Sequence, residues 1–510
     1  MKYIDTKEIK MFQDKKLLKQ SLKSILRLFR NERILDSITD TLRGKSIAVE
    51  YFNVNFCKPI HLGHMRSLAV GRAYRNLLRS AGACVKSISY HGDYGSHMER
   101  IMAYMLTKHR KFKSDDRESI DKNFHRIYSE ACAANDAALK NELSSLGEEG
   151  GMNMCDRQND HTAELYEQIQ NLSMKYINEF LVQYGGYFDI TDFESNYCKK
   201  AQRICKFLEN SNVIQKHLDS GCLYFRKEEK RKDKIILLKS NGDTVYLSRD
   251  IAAFLSREES IGFDDIFYTT DSRQKQHFEN LKEIIARMGY SESSEKINHL
   301  SYGIVKNMSS RKGQFIDDDQ YRRAIRTSYN RIKFGKIQRD TGLHKSDIET
   351  DKFLRQCIMA SLIMPCVTKN IEITEDFIQQ SVIQIIRLNY CYLRLNSLLK
   401  KFEIDEATFD TMCEEVDIES FFADDNFINA LLAIMTFDIV VQRAVASKSI
   451  NTPINYVSKL LPQINQFHDK VNNNSTHKRE DMYRELILLV SFKALLFQSL
   501  KIANIEIINF

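Results

Sequence analysis

The fold of this 510-residue chain is decided by one stretch, Val49-Glu-Tyr-Phe-Asn-Val-Asn-Phe-Cys-Lys-Pro-Ile-His-Leu-Gly-His-Met-Arg-Ser67. Residues 46–52 are largely apolar and β-branched, which is typical of a short buried strand. Residues 62–80 carry apolar side chains at helical spacing, and the turn before them holds His61, Gly63 and His64. The stretch therefore predicts a strand followed by a helix N-terminus, whose N–H groups and dipole attract phosphate.

The two histidines also have simpler explanations. A His-x-x-His pair can be two unrelated residues or a metal pair, and the zinc-protease pattern is excluded because Leu62, not glutamate, follows His61. A strand–turn–helix occurs in any α/β protein. The local sequence alone therefore leaves a nucleotide-phosphate site and an ordinary turn equally open.

The composition limits the class of protein. A chain of 510 residues with 43% hydrophobic residues predicts two to four domains with real cores. The net charge of +7 permits a polyanionic partner without requiring one. The 11 cysteines form no Cys-x-x-Cys pair, so we expect a reducing compartment and no structural zinc.

The sequence shows neither a membrane-spanning stretch nor a secretory signal. We therefore expect a cytoplasmic protein that does not bind a membrane. Residues 15–30 are basic and amphipathic, which leaves an organellar matrix as the alternative.

Strand and helix signals alternate through residues 46–107 and again from residue 235. A predicted strand at 83–90 ends in the polar loop His91-Gly-Asp-Tyr-Gly95, the kind of position at which open α/β sheets bind ligands. The charged, helical residues 108–234 between the two parts read as an insertion. Beyond it we predict a hairpin of residues 235–238 and 244–247 around Asn241-Gly242, helices at 250–258 and 274–288, and strands at 265–270 and 299–305.

The two ends of the chain are predicted to be helical. Residues 1–43 favour two helices, and from about residue 340 onward helical periodicity predicts a bundle. Between the last strand and this bundle lies Lys306-Asn-Met-Ser-Ser-Arg-Lys-Gly313, a cationic loop that suits phosphate binding or an ordinary surface turn.

His61-Leu-Gly-His64 and Asn307-Met-Ser-Ser310 resemble the HIGH and KMSK signatures of class I aminoacyl-tRNA synthetases. The flanking residues are similar to blocks of the arginyl-tRNA synthetase family: Val49-Glu-Tyr-x-x-x-Asn-x-x-Lys-Pro, Gly92-Asp-Tyr-Gly95, Tyr246-x-x-x-Asp-x-Ala252 and Asp271-x-x-Gln-x-x-His-Phe278. The resemblance implies an α/β, Rossmann-type catalytic domain at 46–340 with a helical insertion at about 108–234. It also implies a short helical remnant at 1–45, connecting helices at 341–375 and an all-α anticodon-binding bundle at 376–510.

The resemblance implies a ligase that activates L-arginine with ATP and transfers it to the 3′ end of tRNA(Arg), with Mg²⁺ on the phosphates. We also expect no other metal and a monomeric chain. Catalysis would fall to His61, His64 and Lys58. ATP would be bound by His61, Gly63, His64, His277, Met308, Ser309, Ser310, Arg311 and Lys312. Arginine would be bound by Glu50, Asn55, Tyr246, Asp250 and Gln274. A guanidinium is a planar cationic fork best held by carboxylates and amide oxygens, which suits Glu50 and Asp250. By the same resemblance Asn55 would hold the α-amino or carboxylate end, and Tyr246 and Gln274 would line the guanidinium and α-amino pocket.

The sequence departs from the family pattern at several positions. Asn307 and Ser310 replace both lysines of a full KMSK motif, so we expect Lys58 to supply the missing charge. These residues could instead have purely structural roles: Glu50 as a strand-edge surface residue, Asp250 as a helix N-cap and Tyr246 as a core residue. Another class I synthetase, or a non-catalytic tRNA-binding paralogue, are the rival functions.

Overall fold

The computed structural model describes residues 38–108, 117–134, 137–148, 160–226, 234–306, 318–331, 347–417, 420–421, 424–473 and 479–507. Three predictions therefore fall wholly or mostly outside the described residues. They are the N-terminal helices of residues 1–43, the loop containing Asn307 and Ser310, and the ATP-site residues Met308, Ser309, Arg311 and Lys312.

Eight strands are present in the described part of the chain: β1 (Ser46–Glu50), β2 (Cys84–His91), β3 (Ile190–Phe193), β4 (Ile214–Lys216), β5 (Leu223–Arg226), β6 (Lys234–Leu238), β7 (Asp265–Asp271) and β8 (Ile297–Tyr302). Five of them form a parallel sheet in the order β3-β2-β1-β7-β8. The other three form an antiparallel sheet in the order β4-β5-β6. The central position of β1 in the larger sheet explains its apolar sequence, because both of its edges and both of its faces are covered.

The helices of the described residues are α1 (Leu62–Ser80), α2 (Ser96–Thr107), α3 (Arg117–Ala133), α4 (Ala137–Glu148), α5 (Asp160–Gln183), α6 (Cys198–Asn210), α7 (Tyr246–Ile261), α8 (Lys275–Arg287), α9 (Ser291–Glu295), α10 (Asp318–Arg331), α11 (Asp347–Ser361), α12 (Glu375–Lys401), α13 (Glu406–Glu415), α14 (Asp425–Met435), α15 (Phe437–Ala446), α16 (Thr452–Asn473) and α17 (Arg479–Ile502). Helix α1 connects β1 to β2, as a parallel pair requires.

The two faces of the parallel sheet belong to two different apolar cores. Ile47 and Val49 of β1 pack in the core that contains α1 and extends into the C-terminal helices. Ala48 packs on the other face, with Ile251 and Phe254 of α7. Because side chains alternate along a strand, Glu50 shares the face of Ala48 and lies beneath α7.

Of the hairpin predicted at residues 235–238 and 244–247, only the first strand is present. Residues 234–238 form β6, but Leu238 meets Thr244 in a single bridge and α7 begins at Tyr246. The Ser248 hydroxyl accepts a hydrogen bond from the Val245 N–H at 3.0 Å, which caps the helix start. The apolar alternation of residues 244–247 was therefore the first turn of a helix.

The described part of the insertion is all helical only through Gln183; beyond it strands appear on either side of α6. Beyond it, β3 pairs with β2 and so belongs to the parallel sheet, while β4 and β5 begin the small antiparallel sheet. The predicted strand at 299–305 is also shifted, since β8 ends at Tyr302. Past that point the backbone turns to another partner: Gly303 N–H donates to Val367 O at 2.9 Å, and Lys306 N–H donates to Ile371 O at 2.8 Å.

The described part of the chain after residue 347 is helical, as predicted. In the described residues no single helix is long and apolar enough to cross a membrane, and one bent pair, Asp425–Met435 with Phe437–Ala446, passes that test by length and composition only.

Candidate active site

The loops that follow β1 and β2 meet at the carboxyl edge of the parallel sheet. Phe56 N–H donates to Gly92 O at 3.0 Å, and Gly92 N–H donates to Val54 O at 3.1 Å. A side chain at position 92 has no room, because a Cβ there would lie 2.0 Å from the Asn55 Oδ1 atom. The structure thus brings Asn55 and the Gly92-Asp-Tyr-Gly95 loop into contact, as their shared sheet edge predicts.

The two histidines cap helix α1 reciprocally. The Nδ1 atom of His61 accepts a hydrogen bond from Gly63 N–H at 3.1 Å, and Nδ1 of His64 accepts one from His61 N–H at 3.3 Å. Their rings stack with centroids 4.0 Å apart. A Cβ at Gly63 would approach the His61 ring to 2.9 Å, so the glycine leaves room for this cap.

The same geometry fixes the proton on each ring. An Nδ1 atom that accepts a hydrogen bond holds no proton, so each neutral imidazole is an Nε2–H donor. Burial lowers the pKa of His61 to about 4 and, with the neighbouring His61 and Lys58, holds the pKa of His64 well below its usual range. At neutral pH the turn therefore offers two uncharged donors.

Lys58 lies beside this pair and contacts the insertion. Its ammonium is 5.2 Å from the centroid of the Tyr128 ring of α3, a cation–π contact. The insertion helix helps to enclose a cavity of about 100 Å³ lined by Asn55, Lys58, Pro59, His61, His64, His125, Tyr128 and Ser129. Four of the predicted site residues, Asn55, Lys58, His61 and His64, thus share one cavity with side chains that the sequence did not single out.

Glu50 is the centre of a buried ion-pair cluster. Its side chain is 3% exposed, so the reading as a strand-edge surface residue is wrong. The Arg257 guanidinium donates to Glu50 and also to Asp192, at 2.8 and 3.1 Å, while Asn53 Nδ2 donates to Glu50 at 2.6 Å. Burial raises the pKa of Glu50, and the Arg257 charge opposes this.

A second buried arginine, Arg249, forms an ion pair with Glu194. Arg249 donates from Nε and Nη2 to Glu194 at 3.1 and 2.9 Å, and from Nη1 to Thr244 O at 2.7 Å. Burial raises the pKa of Glu194 to about 8, although Arg249 opposes the shift. Neither Arg249 nor Arg257 was predicted from the sequence, although the sequence contains a signal for both. Each lies among the buried positions of an otherwise amphipathic helix.

Asp250 lies inside α7 rather than at its cap, which is Val245, so the N-cap reading is wrong. Its Oδ2 atom is 2.6 Å from His277 Nε2. Burial lowers the pKa of His277, but the hydrogen bond and the charge of Asp250 outweigh it and leave the pKa raised. The structure therefore places His277, predicted for ATP, against the predicted arginine carboxylate.

The remaining two predicted residues are exposed at the same edge. Tyr246 is 48% exposed, which rules out the core reading, and the Arg249 guanidinium lies 4.9 Å from its ring centroid. Gln274 is exposed at the start of α8, three residues before His277.

Among the described residues no group of three or more His, Cys, Asp or Glu side chains is arranged to hold a metal ion.

Two family models match the chain. The model described as "tRNA synthetases class I (R), catalytic domain" covers residues 27–336, and the model of the "DALR anticodon binding domain" covers residues 388–509.

Relatives and solved structures agree with these matches. The arginine–tRNA ligase of Encephalitozoon cuniculi is 25% identical over 459 residues, which cover 87% of this chain and 76% of that protein. The arginine–tRNA ligase of Exiguobacterium sibiricum is 23% identical over 443 residues, covering 84% and 74%. The fold is similar to that of arginyl-tRNA synthetase from Plasmodium falciparum, with a TM-score of 0.72 and 19% identity over 96% of this chain and 82% of that chain. It is also similar to that of arginyl-tRNA synthetase from Thermus thermophilus, with a TM-score of 0.71 and 18% identity over 95% of this chain and 85% of that chain.

Proposed function

Because this chain belongs to the class I tRNA synthetases of the arginine type, we propose that it is an arginine–tRNA ligase that activates L-arginine with ATP and charges tRNA(Arg). The observation that carries the proposal is the meeting of two unlike groups at one sheet edge. The capped histidine turn offers neutral donors suited to phosphate. At the same sheet edge Asp250 supplies a carboxylate suited to a guanidinium, in a pocket shaped by Glu50.

The reaction needs no side-chain nucleophile. A carboxylate oxygen of arginine forms a bond to the α-phosphorus of ATP, the bond from that phosphorus to the bridging oxygen of pyrophosphate breaks, and pyrophosphate leaves with that electron pair. A hydroxyl of the terminal ribose of tRNA, the 2′-hydroxyl if the chain behaves as a class I enzyme, then attacks the arginyl carbonyl. AMP is released and the hydroxyl proton is lost. Catalysis consists of positioning and of stabilising charge at phosphorus.

Each site residue has a role consistent with its surroundings. The Nε2–H groups of His61 and His64 donate to oxygens of the α-phosphate as negative charge develops there. Lys58 supplies positive charge beside them. Mg²⁺ bound with ATP would add positive charge at the phosphates. Asp250 binds the substrate guanidinium, and Tyr246 and Gln274 line the guanidinium and α-amino pocket. Asn55 holds the α-amino or carboxylate end.

The C-terminal helices are proposed to bind the anticodon arm of tRNA. Bases in RNA loops are read by aromatic rings and arginines that can be reached from solvent. Tyr392 and Phe467 are buried in the bundle, whereas Arg394 and Tyr390 are partly exposed and stack 5.7 Å apart. Arg394 and Tyr390 are therefore the stronger candidates, and the bond of Arg394 to Asp469 at 2.8 Å holds it in place.

We further propose a monomer that works in a reducing compartment, the cytoplasm first and an organellar matrix as the alternative. In the described part of the chain every cysteine is a free thiol, which supports a reducing environment.

The test is ATP–pyrophosphate exchange with each standard amino acid, with and without total tRNA. We expect exchange with arginine alone, and a rise in the KM for ATP in Lys58→Met but not in the exposed control Lys282→Met. Exchange with another amino acid would keep the fold and change the specificity. Salt-sensitive tRNA binding without any exchange would identify a non-catalytic tRNA-binding protein.

A further inference from the structure

Two tyrosines lie on the same sheet face as Glu50, and the strand register shows where. Glu50 of β1 is the Cα partner of Tyr268 in β7 and of Ile88 in β2. Neighbouring partners of this kind project to the same face, and so does Tyr90, two residues after Ile88. Both rings therefore lie under α7, next to the ion pairs of Arg257.

Both phenol hydroxyls are buried without a hydrogen-bond partner among the described residues. Tyr268 is 3% exposed and Tyr90 is 6% exposed, and neither oxygen has a partner at hydrogen-bonding distance and angle. The Arg257 guanidinium lies close enough to the Tyr268 hydroxyl to oppose the rise in its pKa. Such a buried polar group destabilises a protein unless a ligand or water completes it. Two in one cluster point to a ligand that brings its own donors.

Packing holds both rings in place. Tyr268 stacks on Phe278 of α8 with centroids 4.8 Å apart, and Tyr90 lies 4.6 Å beneath the Arg257 guanidinium. Burial, the largest cause in each case, raises the pKa of both phenols. The two hydroxyls thus remain neutral at physiological pH and can accept a hydrogen bond through oxygen.

The charges around these hydroxyls favour a cation. Glu50, Asp192, Glu194 and Asp250 carry up to four negative charges, a number reached only when Glu194 ionises near pH 8. Arg249 and Arg257 balance two of these charges, and His277 balances a third when it is protonated. Among the described residues neither arginine bonds to Asp250. A substrate guanidinium brings five N–H donors, more than the two oxygens of one carboxylate accept in a single bidentate pair.

We infer that the Tyr268 hydroxyl, with that of Tyr90 beside it, accepts hydrogen bonds from the guanidinium of bound arginine and so determines specificity for that side chain. The inference rests on the proposed function and adds to it two residues outside the motifs that resemble the family. A site with buried acceptors rejects amino acids that lack the matching donors, because the acceptors would then stay unpaired.

The experiment compares Tyr268→Phe with Tyr74→Phe in the full chain. Tyr74 of α1 is 1% exposed and packs edge-on against Phe267. Phe267 precedes Tyr268 in β7 and projects to the opposite face of the sheet. Each change removes one buried phenol oxygen and keeps the ring. We measure the KM for arginine and for ATP in the exchange assay, and the melting temperature with and without arginine.

For Tyr268→Phe we expect a KM for arginine raised roughly 10- to 100-fold, as for loss of a hydrogen bond to a charged group, with an unchanged KM for ATP. The melting temperature without arginine should stay equal or rise, because an unpaired hydroxyl has been removed. If Tyr268 had only a structural role, Tyr268→Phe would instead lower the melting temperature and raise the KM for both arginine and ATP. Tyr74→Phe should leave both KM values at the wild-type level, and Tyr90→Phe should repeat the arginine effect on a smaller scale.

A KM for arginine within twofold of wild type in Tyr268→Phe would overturn the inference while the proposed function stands. Failure of the proposed function looks different. The wild-type protein would then show neither arginine-dependent exchange nor a melting temperature raised by arginine, and the inference would fall with it.

Discussion

Replacing Arg257 with methionine should destabilise the catalytic sheet through a calculable electrostatic cost. The guanidinium is 3% exposed and is shared between Glu50 and Asp192, so the variant leaves two buried carboxylates without their cation. Removing one partner of a buried ion pair costs about 3–5 kcal/mol.

The cost must fall as the pH is lowered. In the variant the folded-state pKa of Glu50 rises further above its unfolded value, so the destabilisation is present above the folded pKa and disappears as the pH falls toward 4.5. The variant should therefore be less destabilised at pH 5.5 than at pH 7.

The assay is hydrogen exchange of the β1 and β7 amides in urea, because a chain of several domains does not unfold in one two-state transition. Arg43→Met, which breaks an exposed pair with Asp40, should cost under about 1 kcal/mol at every pH. Adding Glu50→Gln to Arg257→Met should flatten the pH dependence. A cost below about 1 kcal/mol at pH 7, or one that does not change with pH, would refute the reasoning.

Three further predictions concern the site. His61→Ala should lower the exchange rate about 10²- to 10³-fold and cost about 1 kcal/mol of helix capping, whereas His61→Asn should restore the cap without restoring the rate. Gly92→Ala should raise the KM for arginine, because the new methyl group would displace the Asn55 side chain from a position 2.0 Å away. Glu194, with a pKa of about 8, gains its charge as the pH rises through 8. A further negative charge in the site favours binding of the cationic substrate. The KM for arginine should therefore fall between pH 7 and pH 9 in the wild type, and this fall should be absent in Glu194→Gln.

Local patterns predicted the elements around the site well. Helix α1 has the predicted bounds of residues 62–80, and the strand at 265–270 lies within β7. These elements have strong periodicity and clear ends, and their signals lie within one segment of chain. The strand predicted at residues 244–247 failed for a local reason, because four alternating residues fit a strand or the first turn of a capped helix equally well.

The buried ion pairs could not be predicted in the same way. Arg257 bonds to residues 65 and 207 positions away in sequence, and Arg249 bonds to one 55 positions away. No periodicity encodes which carboxylate a buried cation will meet after folding. The sequence does show that both arginines interrupt the apolar face of α7, and a buried cation of this kind requires a partner.

The chain's own arginines explain how carboxylates in this site divide their roles. A substrate guanidinium and the Arg257 guanidinium have the same chemistry, so any carboxylate that Arg257 holds permanently has less to offer the substrate. Glu50 already accepts from Arg257 and Asn53, whereas Asp250 meets an imidazole, whose single bond leaves oxygen lone pairs available. Glu50 therefore shapes the pocket and Asp250 binds the cation. On this reasoning Asp250→Asn should raise the KM for arginine more than it affects stability, and Glu50→Gln should do the reverse.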